Sequence, residues 1–174
     1  MKRIGIFGPT ESGKSTVARR LVLEHFKKFG IKALILDPHT DEWHFWPSEA
    51  VGFITEDETK FWSAVWSSDG CIVVVEESSS TIKREKNLIP VFTKLRHRKH
   101  KLLVIGHSGM DLLPVMREQF DTLYLFRQPQ SAAKVWAEVM TETGLLACMN
   151  CQQFEFIFHR MFGKPVKMKL PPPK

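Results

Sequence analysis

The run Gly8-Pro-Thr-Glu-Ser-Gly13-Lys14-Ser15 constrains this chain more than any other feature. It has the form G-x-x-x-x-G-K-[ST]. An apolar run, Lys2–Phe7, precedes it, and a helical pattern over Gly13–Phe29 follows, with Val17, Leu21 and Phe26 along one side. Strand, glycine-bearing turn and helix in that order make a phosphate cradle. Glycines let backbone N–H groups curl around phosphate oxygens, and the helix N-terminus adds its positive dipole end. Gly8, Pro9, Thr10, Glu11, Ser12, Gly13, Lys14, Ser15 and Thr16 are therefore the candidate nucleotide-binding residues. In such a cradle the lysine, here Lys14, reaches the β- and γ-phosphates and the hydroxyl of Ser15 ligates Mg²⁺.

Short apolar runs separated by helical patterns continue down the chain. Strands are predicted at Ala33–Leu36, Cys71–Val75, Lys101–Ile105 and Thr122–Phe126. Helices are predicted from a capping box at Thr55-Glu-Asp-Glu58, over Ile82–Lys99 with a break at Pro90, over Asp111–Phe120 and over Gln130–Thr143. Continuous rather than alternating apolar strands imply burial on both faces of a parallel sheet. The expected fold is a three-layer α/β/α sandwich, a P-loop NTPase domain spanning residues 1–163. Residues 164–174, basic and proline-rich, read as an extended C-terminal tail that could order on a neighbour.

Hydrolysis needs more than phosphate binding. Glu76-Glu77 directly follows the Cys71–Val75 run, where a Walker-B acid belongs. Strand C-termini of a parallel sheet lie on the same edge as the phosphate loop, so both carboxylates can approach it. Glu76 is assigned to the Mg²⁺ shell with Ser15, and Glu77 to polarising the attacking water. His107 ends the next strand at the same edge and can sense the γ-phosphate. No Asn-Lys-x-Asp run is present to read guanine, and no adenine-reading motif is evident either.

Charge points to a second ligand. Between Thr81 and Lys101 eight Lys or Arg residues stand against Glu85 alone. That local excess of seven exceeds the net +6 of the whole chain, which suits either a solvated helix face or a polyanionic partner. Composition is that of a soluble globular domain. No apolar run reaches the roughly 18 residues of a membrane span, and the N-terminus lacks the pattern of a signal peptide, so an intracellular protein is expected. Cys148-Met-Asn-Cys151 has the spacing of half a zinc site with His159 nearby, short of four ligands.

Beyond the loop, the order of motifs resembles the FtsK–HerA superfamily of DNA-pumping ATPases. It is most similar to the compact genome-packaging ATPases of double-stranded DNA viruses with an internal membrane. The resemblance runs from Gly8 to about Phe126. It rests on Asp37-Pro38-His39 after the second strand, on the paired acids Glu76-Glu77, and on the segment from Leu95 to Ser108. In that segment Arg96 lies eleven residues before His107, the spacing of the family's arginine finger and polar sensor. The Glu-Glu pair departs from the commoner Asp-Glu, and His107 stands where cellular members more often have glutamine.

The resemblance implies an additional-strand, additional-glutamate ATPase using ATP and Mg²⁺ to translocate double-stranded DNA without reading its sequence. It implies a homo-oligomeric ring in which Arg96, with Arg98 in reserve, enters the neighbour's site. It also implies work in the host cytoplasm or on the virion, at a capsid vertex. Lys83, Arg84, Lys86 and Arg98 are the candidate DNA-gripping residues, and Arg127 could contact nucleotide or a neighbour. Two other readings stand beside it. One is a small P-loop nucleoside or nucleotide kinase, for which the segment after Phe126 is a short lid. The other is a nucleotide-dependent assembly module, for which no membrane anchor is visible.

Overall fold

The computed structural model describes residues 2–82 and 86–171. In chain order it has β1 (Arg3–Phe7), α1 (Lys14–Phe29), β2 (Ala33–Leu36), β3 (Val51–Thr55), α2 (Glu58–Ser67), β4 (Ile72–Val75), α3 (Ser78–Thr81), α4 (Ile89–Lys94), β5 (Lys101–Gly106), α5 (Pro114–Arg117), β6 (Thr122–Leu125), α6 (Gln130–Val139), β7 (Glu155–Arg160) and β8 (Val166–Lys169). Among the described residues eight strands form one sheet, ordered β3-β2-β4-β5-β1-β6-β7-β8. The first six in that order are parallel, and β7 and β8 add antiparallel at the edge.

Alternate residues of each inner strand enter two separate cores, because successive side chains point to opposite faces. Leu34, Leu36, Val73, Val75, Leu102 and Val104 pack on the face covered by α2, α4 and α6. Ala33, Ile35, Ile72, Val74, Leu103 and Ile105 pack on the face covered by α1. Both halves of the alternation are apolar, so the strands read as unbroken runs. A stack of Phe7 on Trp136, with ring centroids 4.9 Å apart and Phe120 edge-on to both, fills the first core. Such pairs contribute about 0.5–1.5 kcal/mol each beyond the area they bury.

Several predicted bounds move, each for a local reason. The cap of α2 is Asp57, whose carboxylate accepts the Lys60 N–H, and not Thr55, which ends β3. The long basic helix is broken. Pro90 begins α4 instead of interrupting it, because a proline lacks the N–H that a first helical turn leaves unused. Leu95–Arg98 then tightens into a 3₁₀ turn. Pro114 likewise delays the helix expected from Asp111 and leaves only α5. The segment read as a C-terminal tail is extended, but Val166–Lys169 is the last strand of the chain's own sheet. Leu170 behind it is buried. No helix among the described residues is long and apolar enough to cross a membrane.

The tryptophans after β2 have a structural task. Asp37 is buried, its carboxylate accepting the His39 N–H and the Trp46 Nε1–H, both at 2.9 Å. Its carbonyl accepts the Trp43 Nε1–H. Asp37→Ala should strand the buried Trp46 Nε1–H and free the part-buried His39 N–H, and cost about 1–3 kcal/mol, with Asp37→Asn losing less. Urea unfolding measures both, and an unchanged midpoint for the alanine variant would show that the carboxylate does not hold this turn.

Candidate nucleotide site

The loop between β1 and α1 opens a cleft of about 680 Å³ on the edge where the parallel strands end. Thr10–Thr16 line it, together with His39, Glu42, Glu76, Glu77, His107, Gln153 and Phe154. The Gly8 N–H donates to the Gly106 carbonyl at 3.1 Å, which fixes the loop beside the end of β5. Gly13 sits at φ +103°, in the left-handed region. A Cβ there would lie 2.5 Å from Leu170 Cδ1 and 3.3 Å from Phe154 Cδ1, so both conformation and space require glycine.

Lys14 donates from Nζ to the Pro9 carbonyl at 2.8 Å. Burial pulls its ammonium below the usual lysine value, opposed by Glu76 and Glu77. Ser15 Oγ–H donates to Glu76 Oε1 at 3.0 Å. Glu76 is almost fully buried at the end of β4. Burial pushes its carboxyl up to about 7, with Asp37 and Glu77 adding to the rise and Ser15 and Lys14 opposing it. Glu76 Oε2 is buried without a hydrogen-bond partner.

Glu77 differs from its neighbour in every respect that matters chemically. It takes φ +52°, rare for a residue with a side chain, and it caps α3. That turn swings its carboxylate out of the strand into the open part of the cleft. Oε1 accepts the Ser79 Oγ–H at 2.8 Å and lies 3.3 Å from His107 Nε2. One acid is thus buried against Ser15, the other partly exposed and held by His107. The His107 backbone is itself fixed, its carbonyl accepting the Gln128 Nε2–H at 3.0 Å. Next to it the Ser108 carbonyl accepts the Trp136 Nε1–H at 2.8 Å.

These residues suit a small hard cation. Ser15 Oγ and the Glu76 carboxylate bonded to it supply oxygen ligands beside the cleft, with Glu76 Oε2 buried and unpartnered. Mg²⁺ typically takes one or two protein oxygens and fills its octahedron with phosphate and water. Among the described residues no three His, Cys, Asp or Glu side chains gather as a metal cage, the Cys148/Cys151 pair included. Both of those thiols are buried and free, and burial pushes Cys148 up to about 12.

The structure brings Lys14, Ser15, Glu76, Glu77 and His107 together, and it keeps Arg96 away. Arg96 is exposed in the turn before β5, at the opposite end of that strand from His107. Six residues of strand separate the two ends by about 20 Å. Arg98 is engaged by Asp69 at 3.6 Å on that same far edge. Arg127 is exposed beside the loop and lines a smaller cleft with Pro9–Ser12 and Cys151–Gln153. Lys86 is exposed, and Lys83 and Arg84 lie outside the described residues. His39, Glu42, Gln153 and Phe154 line the main cleft without having been named from the sequence as site residues. Only Asp37-Pro38-His39 offered a signal for the first pair.

A family model for the central domain of the helicase HerA matches residues 1–108. The chain belongs to that family. Solved structures agree on the HerA-type fold. The genome packaging NTPase B204 from Sulfolobus turreted icosahedral virus 2, in complex with AMPPCP, superposes with a TM-score of 0.78 at 15% identity, covering 97% of each chain. VirB4 of Thermoanaerobacter pseudethanolicus gives 0.76 at 10% identity over 98% of this chain and 90% of its own. The cytoplasmic domain of the type VII secretion ATPase EccC from Thermomonospora curvata gives 0.70 at 12% identity, over 99% of this chain and 24% of its own. A search of curated proteins by sequence found no match.

Proposed function

We propose that this HerA-type chain is an Mg²⁺-dependent ATPase that translocates double-stranded DNA, as one subunit of a viral genome-packaging ring. The observation that carries the hydrolytic reading is the division between the two acids. Glu76, buried and bonded to Ser15, holds the metal shell, while Glu77, turned into the cleft by its left-handed backbone, faces the water. Lys14 leaves the Pro9 carbonyl for the β- and γ-phosphate oxygens. When bound, Mg²⁺ neutralises charge on those oxygens. Glu77 orients the attacking water and takes up its proton, and His107, 3.3 Å from Glu77, registers the loss of the γ-phosphate.

Two features support a ring. Arg96 lies at the wrong end of β5 to serve its own cleft, so it can act only in a neighbour's. Charge also segregates between the two edges of the sheet. Among the described residues Glu11, Asp41, Glu42, Glu56 and Asp111 accompany the catalytic pair at the cleft edge, beside Lys14, Arg19 and Arg127, whereas Lys2, Arg3, Lys32, Lys99, Lys101 and Arg160 stand at the opposite edge with Glu49, Asp69 and Asp121. Edges of opposite sign favour head-to-tail contacts, the heterologous kind that close by rotation. The B204 NTPase of the same fold is described as packaging genomes. The basic stretch between Thr81 and Lys101 supplies cations for phosphates read without regard to sequence.

The test is ATP hydrolysis by the purified protein with Mg²⁺, with and without long duplex DNA. Duplex should raise turnover several-fold, the effect should fade with added salt, and Lys14→Ala should be silent. Turnover indifferent to DNA, appearing only with a nucleoside or nucleotide acceptor, would replace the motor with a kinase.

A further inference from the structure

We infer that Phe154 and Gln153 form the nucleoside subsite of this cleft, with β8 and Leu170 holding them against the phosphate loop. The inference rests on the nucleotide-site reading above and extends it to the part of the ligand no motif addressed.

The cleft has two ends. Glu76 and Glu77 follow β4 and His107 follows β5, both on one side of β1, and His39 and Glu42 follow β2 still farther that way. A triphosphate on Gly8–Ser15 with its terminal phosphate toward Glu77 leads its nucleoside away from all of them. That direction ends at Gln153 and Phe154, on the turn entering β7. Phe154 is partly buried, and it is held at φ +64°, a strained conformation for a residue with a side chain. Its carbonyl accepts the Leu170 N–H at 2.9 Å. Leu170 and Phe154 are the side chains a Cβ on Gly13 would strike first, so ring, C-terminal strand and phosphate loop meet at one point. Gln153 approaches the loop from the same turn, its Nε2–H directed at the Glu11 carbonyl at 3.5 Å.

The chemistry fits a heterocycle on a sugar. An aromatic ring offers a face for any base, and a primary amide offers both a donor and an acceptor to a base edge. A cleft of about 680 Å³ has room for a nucleoside as well as its phosphates. Phe154 is thus a binding residue that does not touch the reacting phosphorus, and Leu170 is a positioning residue acting through it.

Calorimetric titration with Mg²⁺ and either ATP or inorganic tripolyphosphate separates the two halves of the cleft. Phe154→Ala should weaken ATP by about 10- to 100-fold while tripolyphosphate binds as in the wild type, and Phe154→Trp should restore ATP. The KM for ATP should rise in step, with kcat at saturation nearly unchanged. Phe154→Leu keeps an apolar side chain beneath Gly13 and should show the same selective loss, which separates base contact from loop support. Gln153→Ala should narrow the difference between ATP and GTP. Equal weakening of ATP and tripolyphosphate in Phe154→Leu, or no change in ATP affinity in either variant, would overturn the subsite. Failure of tripolyphosphate and ATP alike to bind the wild type would overturn the phosphate-site reading beneath it.

Discussion

Glutamine in place of Glu76 will reduce hydrolysis by at least about a hundredfold and will make the empty protein harder to unfold at alkaline pH. The first effect follows from removing a charged oxygen from the proposed metal shell. The second follows from proton linkage. The Glu76 carboxyl keeps its proton up to about 7 in the fold, against an ordinary value of 4.5. The folded state therefore binds the proton more tightly than the unfolded chain. Stability is lost as pH rises from the unfolded value to the folded one, and the whole loss applies above it. At about 1.4 kcal/mol for each pH unit between those values, the cost approaches roughly 3 kcal/mol at pH 8. Glutamine carries no such charge. Urea unfolding of the nucleotide-free proteins should show the variant more stable than wild type at pH 8, with the difference nearly gone at pH 5. Equal differences at the two pH values would mean that Glu76 enters the fold already ionised. The site, on this view, holds a carboxylate that the empty protein would rather neutralise and that a cation makes comfortable.

Arg96→Ala and Lys14→Ala proteins should each be inactive alone and regain activity when mixed. An arginine finger is worth about 10³- to 10⁵-fold in turnover, and Lys14 is the residue proposed to contact the phosphates that turn over. In a head-to-tail ring, an Arg96→Ala subunit keeps its own phosphate loop, and a Lys14→Ala neighbour still offers its arginine. Random mixing in equal amounts completes about one interface in four, so recovered turnover should approach a quarter of the wild-type rate. Arg98→Ala should retain most activity, because Asp69 already engages that guanidinium at the far edge. Recovery needs subunits that exchange, which sedimentation of the mixture would establish. A mixture as silent as its components, in rings of both variants, would rule out action of Arg96 in a neighbour's site, and full activity of Arg96→Ala alone would remove it from the chemistry.

How much of this could be read before folding depended on how local the determinant is. The turn between β1 and α1 was legible, because a backbone cradle demands glycine, lysine and a hydroxyl at set positions within eight residues. The inner strands were legible for the opposite reason: burial on both faces leaves Ile72–Val75 and its neighbours no room for polar residues. The edges were not. In β3, Gly52 interrupts a half-exposed strand, and β8 alternates Val-Lys-Met-Lys inside a basic, proline-rich stretch that reads as solvent-bound. The breaks at Pro90 and Pro114 were visible, but whether a proline starts or stops a helix is settled by what packs beneath it. Glu76 and Glu77 are adjacent letters with opposite surroundings, and only the turn at Glu77 sets their side chains apart. Phe154 had no signal at all, since its place beside Gly13 exists only once β7 has joined β6.

The contact between Gly13 and Leu170 also sets an order of events during synthesis. Gly13 emerges from the ribosome about 150 residues ahead of the leucine that packs beneath it. The loop is therefore made well before the residue that braces it. A nascent chain stalled before β7 should therefore carry a complete phosphate-loop sequence and yet retain little nucleotide. Pairings between distant residues also close slowly, so the seating of Leu170 against the loop should be a slow step. A bound nucleotide can then act as the clasp that fastens the C-terminal strand to the newly made domain.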